Sequence, residues 1–135
     1  MGDNFKEASR WLKQAERDLK SAMNSSSAHN FEWACFQSQQ SAEKALKAFL
    51  YLNGYRAVLT HSVLELIRKA GEVEEGFAKF NREAKVLDSV YISSRYPSGI
   101  AGETAPFEYY DEEDAAECIN CAELILQKVR EFIKI

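Results

Sequence analysis

Gln40, Lys44 and Lys47 fall four and three residues apart in the stretch Gln39-Gln40-Ser41-Ala42-Glu43-Lys44-Ala45-Leu46-Lys47, with Glu43 beside them. On a helix that spacing gathers an amide and two ammonium groups on one face. Such a set suits a ligand that carries phosphate, sugar and base. The ammonium groups would neutralise phosphate, and the amide and carboxylate would hydrogen-bond hydroxyls or base edges. The same residues also suit a solvated helix face with a Glu–Lys pair. A second constellation is Arg56-x4-His61. A histidine can move a proton near neutral pH and an arginine can stabilise a phosphorane, so the pair has the chemistry of RNA cleavage. In the competing reading His61 caps or packs at a helix start.

Other candidates are thinner. Cys118-x-x-Cys121 puts two thiols on adjacent helical turns, but a structural zinc site wants four ligands, and only Cys35, His29 and His61 remain. The expectation is buried thiols and no metal. Ser98-Gly99-Ile100-Ala101-Gly102 shares only two glycines with a phosphate loop, and no P-loop or Ser-His-Asp spacing occurs. No cofactor is expected.

The elements that must position these residues read as helices. Phe5, Ala8, Leu12, Ala15, Leu19 and Ala22 form one apolar stripe, with Asp3 or Asn4 as cap and Asn24–Ser27 as its end. A second helix is expected from about His29 to Asn53, with Gly54 as its stop. It is apolar over more than one face near its start, which places it centrally, and Ala42, Ala45 and Ala48 allow close approach. Ser62-x-x-Glu65 is a capping box for a short third helix ending at Gly71. A fourth is expected from Glu75 to Ser94, closed by Arg95-Tyr96-Pro97. Ser98–Tyr110 reads as the one long loop. The last helix is expected from Asp111 to Lys134, along Ala115, Cys118, Ala122, Ile125, Val129 and Phe132. Trp33, Phe36 and Tyr91 are apolar surplus, for a dimer face or for the core.

The fold expected is therefore all-α: one domain over residues 1–135, an up-and-down antiparallel bundle of four long helices plus one short helix. Composition agrees, with 46% apolar and 28% charged residues, two prolines and three cysteines. No apolar run is long enough to span a membrane, no secretory leader is read at the start, and the odd, sparse cysteines suit a reducing cytoplasm. Net charge is −4 and uneven. Between Tyr96 and Gln127 there is no Lys or Arg, while Glu103, Glu108, Asp111, Glu112, Glu113, Asp114, Glu117 and Glu123 all fall there. That balance argues against uniform wrapping of a polyanion and leaves room for local basic sites.

Taken together, five stretches resemble one family. They are Trp11-Leu12-x-x-Ala15-x-x-Asp18-Leu19-x-x-Ala22, Ala34-Cys35-Phe36-x-x-Gln39-Gln40-x-Ala42-Glu43-Lys44-x-Leu46-Lys47, Gly54 with His61-Ser62-Val63-x-x-Leu66, Leu87-Asp88-x-x-Tyr91-Ile92-x-x-Arg95-Tyr96-Pro97, and Asp114-Ala115 with Ala122-Glu123. In this order they resemble the HEPN (higher eukaryotes and prokaryotes nucleotide-binding) domain over nearly the whole chain. The resemblance implies a helical bundle, a homodimer, and a nucleotide site at Gln40, Glu43, Lys44, Lys47, His61, Arg95 and Tyr96. It also implies a minimal nucleotidyltransferase as partner in a toxin–antitoxin-like pair. Family ribonucleases, which need no metal, carry an Arg-x4–6-His motif late in the bundle and share a site across two protomers. Here Arg95 has no histidine after it, and Arg56-x4-His61 lies before the third helix. The expectation is a non-catalytic nucleotide-binding or interaction module. The alternative is a ribonuclease with Arg56 and His61 as catalytic pair acting on RNA.

Overall fold

The stripe of the first helix is buried from Ala8 through Leu12, Ala15 and Leu19 to Ala22, and it dictates how α1 (Gly2–Ser27) lies on the rest of the chain. In this computed structural model, which describes residues 2–135, Phe5 stays exposed and the serine run forms the last turn of the helix, which ends at Ser27. The stop is a Schellman-type closure: the Asn30 amide donates to the Ser25 carbonyl at 2.8 Å, with His29 in the left-handed region at φ 66°. His29 therefore belongs to the end of α1, and α2 (Phe31–Leu52) starts two residues later than the sequence suggested. Gly54, at φ 91°, closes α2 in the same way, as expected, with the Tyr55 amide on the Leu50 carbonyl at 3.1 Å.

α2 is the central element. From Ser38 to Leu50 only Gln40 and Lys44 escape full burial. Small residues on both sides, Ala8 and Ala15 of α1 and Ala42, Ala45 and Ala48 of α2, let α1 and α2 form the most extensive helix pair. α6 (Glu112–Arg130) packs on α2 and α1 through Ala115, Cys118, Ala122, Ile125 and Val129, and all three cysteines are buried free thiols. Asp111 and Asp114 form a reciprocal capping box at its start, each amide donating to the other's carboxylate at 3.0 Å.

α3 (Val63–Val73) begins at the expected cap, where Ser62 Oγ accepts from the Glu65 amide at 3.1 Å. The Glu65 carboxylate reaches past Ser62 to Thr60 Oγ1. The continuous helix expected from Glu75 to Ser94 is absent. A 3-10 turn (Glu75–Phe80) comes first, then α4 (Asn81–Ser89), then turns as far as Arg95. The 3-10 geometry eclipses residues three apart. It thereby drives both Phe77 and Phe80 into the core, where the Phe77 ring lies 4.6 Å from that of Phe49. Beyond α4, Ser93 and Ser94 back-bond to the carbonyls of Ser89 and Val90, which competes with helix continuation. The presumed long loop contains a 3-10 turn at Pro97–Gly99 and the single-turn α5 (Pro106–Tyr109). The architecture is thus an all-α bundle of five helices of nine residues or more and one single turn, with no strand among the described residues. Among those residues no helix is long and apolar enough to cross a membrane.

Candidate functional site

Glu43 is 4% exposed, and a carboxylate that deep needs partners. It has four donors. Lys47 Nζ and His61 Nδ1 meet Oε2 at 3.1 and 3.0 Å; the Gln39 and Gln40 amides meet Oε1 at 3.2 and 3.4 Å. The helical spacing 39, 40, 43, 47 supplies three of these donors along one face of α2. The fourth arrives from the loop before α3. An ionised carboxylate can only accept, so His61 Nδ1 is the donor of this bond, and the other ring nitrogen, Nε2, is not engaged by it. The His61 side chain is 58% exposed although its partner is buried.

His61 is fixed in three further ways. Its carbonyl accepts from Gln39 Nε2 at 3.0 Å. Its ring stacks on Tyr91, with centroids 5.4 Å apart and planes 21° from parallel. Its neighbours at the start of α3 are gripped by Asp88 of α4, whose carboxylate accepts from the Val63 amide at 2.6 Å, Ser62 Oγ at 2.9 Å and the Leu64 amide at 3.2 Å. A carboxylate at a helix N-terminus meets both unpaired amides and the positive end of the dipole.

Tyr91 carries Arg95 as well. The guanidinium lies 4.7 Å from the Tyr91 ring, 4.3 Å from Phe36 and 5.3 Å from Tyr96. Arg95 Nε and Nη2 both donate to the Tyr91 carbonyl, at 2.9 and 2.6 Å, so the side chain closes its own helical turn. Of its five N–H donors, three are left unassigned by these bonds. Tyr96 is 51% exposed and Trp33 47%. Trp33, Phe36, Tyr91 and His61 make an aromatic row, with Trp33 edge-on to Phe36 and Phe36 6.2 Å from Tyr91.

The predicted site residues thus divide. Gln40, Glu43, Lys47 and His61 meet in one cluster, and Arg95 and Tyr96 adjoin it through Tyr91. Within the cluster the polar atoms of Glu43 and Lys47 are engaged with one another, so these two act as framework beneath His61. Lys44 belongs elsewhere. It pairs with Asp18 of α1 at 2.6 Å and lines an open groove of about 830 Å³ between α1 and α2. Arg56 donates to Asn4 Oδ1 at 3.1 Å near the start of α1, and no hydrogen bond or ion pair joins it to His61. Asp88, Gln39 and Tyr91 are the residues that sequence reasoning did not single out as site residues. Only the Leu87-Asp88-x-x-Tyr91 pattern signalled two of them. A cavity of about 380 Å³ lies elsewhere, between α4, the following loop and α6, and is lined by Ser93, Tyr110 and Asp114 among others. Burial raises the Tyr110 and Asp114 pKa values.

Known proteins share this arrangement of helices. Residues 8–132 match the family described as HEPN domain. The chain is 33% identical over 140 residues to a Methanocaldococcus jannaschii protein named "Putative toxin MJ1304", covering 98% of this chain and 92% of that one. It resembles the crystal structure of ST0689, described as an archaeal HEPN homologue, with TM-score 0.78 and 44% identity over 95% of this chain and 98% of that one. The crystal structure of TT1696 from Thermus thermophilus superposes with TM-score 0.87 and 35% identity over 93% and 97% of the two chains. The match covers every helix that builds the Glu43–His61–Tyr91–Arg95 cluster, and the chain belongs to the HEPN domain family.

Proposed function

We propose that this chain is a non-catalytic HEPN module that binds a nucleotide at the face formed by His61, Arg95 and Tyr96. The observation that carries the reading is the contrast within one cluster: Glu43 is buried and saturated, yet the imidazole it holds is exposed beside an arginine on a shared aromatic ring. A buried carboxylate that orients an exposed ring gives a preorganised contact, not a mobile one. Arg95 would take phosphate with its remaining donors, His61 Nε2 would meet a sugar hydroxyl, and Tyr96 would stack on the base. Gln40, Glu43 and Lys47 serve as the framework. Lys44, which the resemblance assigns to the same site, would reach phosphate only by leaving Asp18.

Two further parts of the reading rest on the family and on the toxin name of the Methanocaldococcus relative. The module acts as a homodimer, and it pairs with a minimal nucleotidyltransferase. The exposed acids Glu103, Glu108, Asp111, Glu112 and Glu113 would meet a basic surface of that partner, and long-range attraction would speed the encounter. Co-purification with a nucleotidyltransferase, weakened by reversal of these charges, is the expected result.

The test is thermal unfolding with millimolar ATP or GTP at low salt. Ligand at tenfold its Kd adds about 1.4 kcal/mol, a rise on the order of 3–6 °C for a domain of this size. His61→Ala and Arg95→Ala should abolish the rise. No rise in the wild type rejects the reading. One observation favours a second reading: Glu43 holds His61 by Nδ1 and leaves the rest of the imidazole exposed, the arrangement that general acid–base chemistry on RNA needs. RNA cleavage in EDTA that is lost in His61→Ala would establish it; cleavage absent from the wild type ends it.

A further inference from the structure

Lys6, Arg10, Lys13, Arg17 and Lys20 recur along α1 at spacings of four, three, four and three, and all five are exposed. They form one row on the side of α1 opposite the buried Ala8–Leu12–Ala15–Leu19 stripe. At 1.5 Å per residue the row is about 21 Å long. The acids of α1 do not neutralise it. Glu16 is held by Arg130 at 2.5 Å, Asp18 by Lys44 at 2.6 Å, and Glu7 pairs only with Arg10. Lys6, Lys13, Arg17 and Lys20 have no carboxylate within ion-pair distance among the described residues. Like charges three and four residues apart destabilise a helix by about 0.2–0.5 kcal/mol per pair, and a helix face kept only for solubility alternates its signs. This one does not, in a chain whose net charge is −4. The groove beside the row is lined by Arg10, Trp11, Lys13, Gln14, Arg17 and Lys44, with one acid, Glu7, which is held by Arg10 and Trp11.

We infer that α1 is a track for the phosphate backbone of a single-stranded polynucleotide, separate from the His61 face and not dependent on it. A row of cations beside a groove that holds an aromatic ring, here Trp11, is the arrangement by which single strands are held without sequence readout. The contacts are to phosphates, so RNA and DNA strands should bind alike.

The experiment is fluorescence anisotropy with labelled oligo(U) and oligo(dT), for the wild type and for Lys13→Gln/Arg17→Gln/Lys20→Gln. If about four phosphates are engaged, affinity falls about fifty-fold between 50 and 200 mM salt, from a slope near −0.7 per phosphate. The triple variant should lose at least about tenfold at 50 mM salt and show a shallower slope. Lys79→Gln/Arg82→Gln/Lys85→Gln, an equal loss of charge across the 3-10 turn and α4, should stay within about twofold. Equal loss in both variants, or no binding by the wild type at 50 mM salt, overturns the proposal. A preference above tenfold for one sugar overturns a backbone-only track. Polyglutamate competing as well as oligo(U) overturns the nucleic-acid assignment in favour of an acidic protein.

Discussion

At the scale of single residues, the cluster under His61 is held by charges that cannot be removed one at a time. The Glu43 and Lys47 side chains are each 5% exposed. Removing one member of a buried pair strands the other, at about 3–5 kcal/mol, whereas replacing both by apolar groups is often nearly neutral. Glu43→Leu should therefore destabilise by about 3 kcal/mol or more in denaturant titration, and Glu43→Leu/Lys47→Met should recover much of that loss. Additive losses would show that the pair is not a unit. Backbone strain gives a second prediction. His29 and Gly54 occupy equivalent positions in two Schellman closures, yet only one is glycine. His29→Gly should raise stability by about 0.5–1 kcal/mol, because glycine meets no steric penalty at positive φ. The stop at Gly54 was legible in the sequence because glycine advertises such a turn. The stop at His29 was not, because a histidine there looks like the opening of the next helix.

Between elements, Asp88 is the joint. From α4 it satisfies two amides and a hydroxyl at the N-terminus of α3, and so sets where His61 stands against Tyr91. Hydrogen bonds to a charged group contribute about 1.5–3 kcal/mol, so Asp88→Ala should cost about 2 kcal/mol. It should also shrink the nucleotide-induced thermal shift while His61 itself is intact. A stability loss with the shift unchanged would mean that Asp88 supports the fold alone. Gly99 performs a related service for Arg95 and Tyr96. A Cβ there would lie 2.8 Å from the Ser93 Cα, so Gly99→Ala should displace the turn after Tyr96. Apolar periodicity made α1, α3 and α6 readable, since each buries one face, and the apolar excess around α2 marked it as the central helix. It misled between Glu75 and Ser94, where Phe77 and Phe80 suit a 3-10 turn as well as an α-helix. Asp88 showed in the sequence only within the pattern Leu87-Asp88-x-x-Tyr91, and its capping role did not show, because a cap supplied by another element leaves no mark near the helix it caps.

Across the whole molecule, the buried thiols and Tyr110 set an alkaline limit. Burial pushes Cys121 up to about 12, and Cys118 and Tyr110 are raised as well, Cys118 first by its contact with Cys35 and Tyr110 by burial. In the unfolded chain these thiols ionise at ordinary values. Their folded pKa values are higher, so the stability they contribute is present below about pH 8.5 and is lost as pH rises toward 12. Denaturation at pH 7 and pH 10 should show lower stability at pH 10, and a variant with Cys118→Ala/Cys121→Ala should show less of that difference. A pH-independent stability would contradict the linkage. The polar stripe of α2 was visible in the sequence, but its division was not: Lys44 faces α1, Glu43 and Lys47 are framework, and Arg95 joins His61 from far along the chain through the ring of Tyr91. The chain has only two histidines, and His29 lies at the α1–α2 turn, which makes it an internal control. Imidazole nitrogen and proton resonances followed by NMR during a titration with ATP test the central claim most directly. The account predicts that the His61 resonances move in a saturable way while those of His29 stay in place. Stationary His61 resonances at millimolar ATP, or equal movement of both histidines, would contradict it.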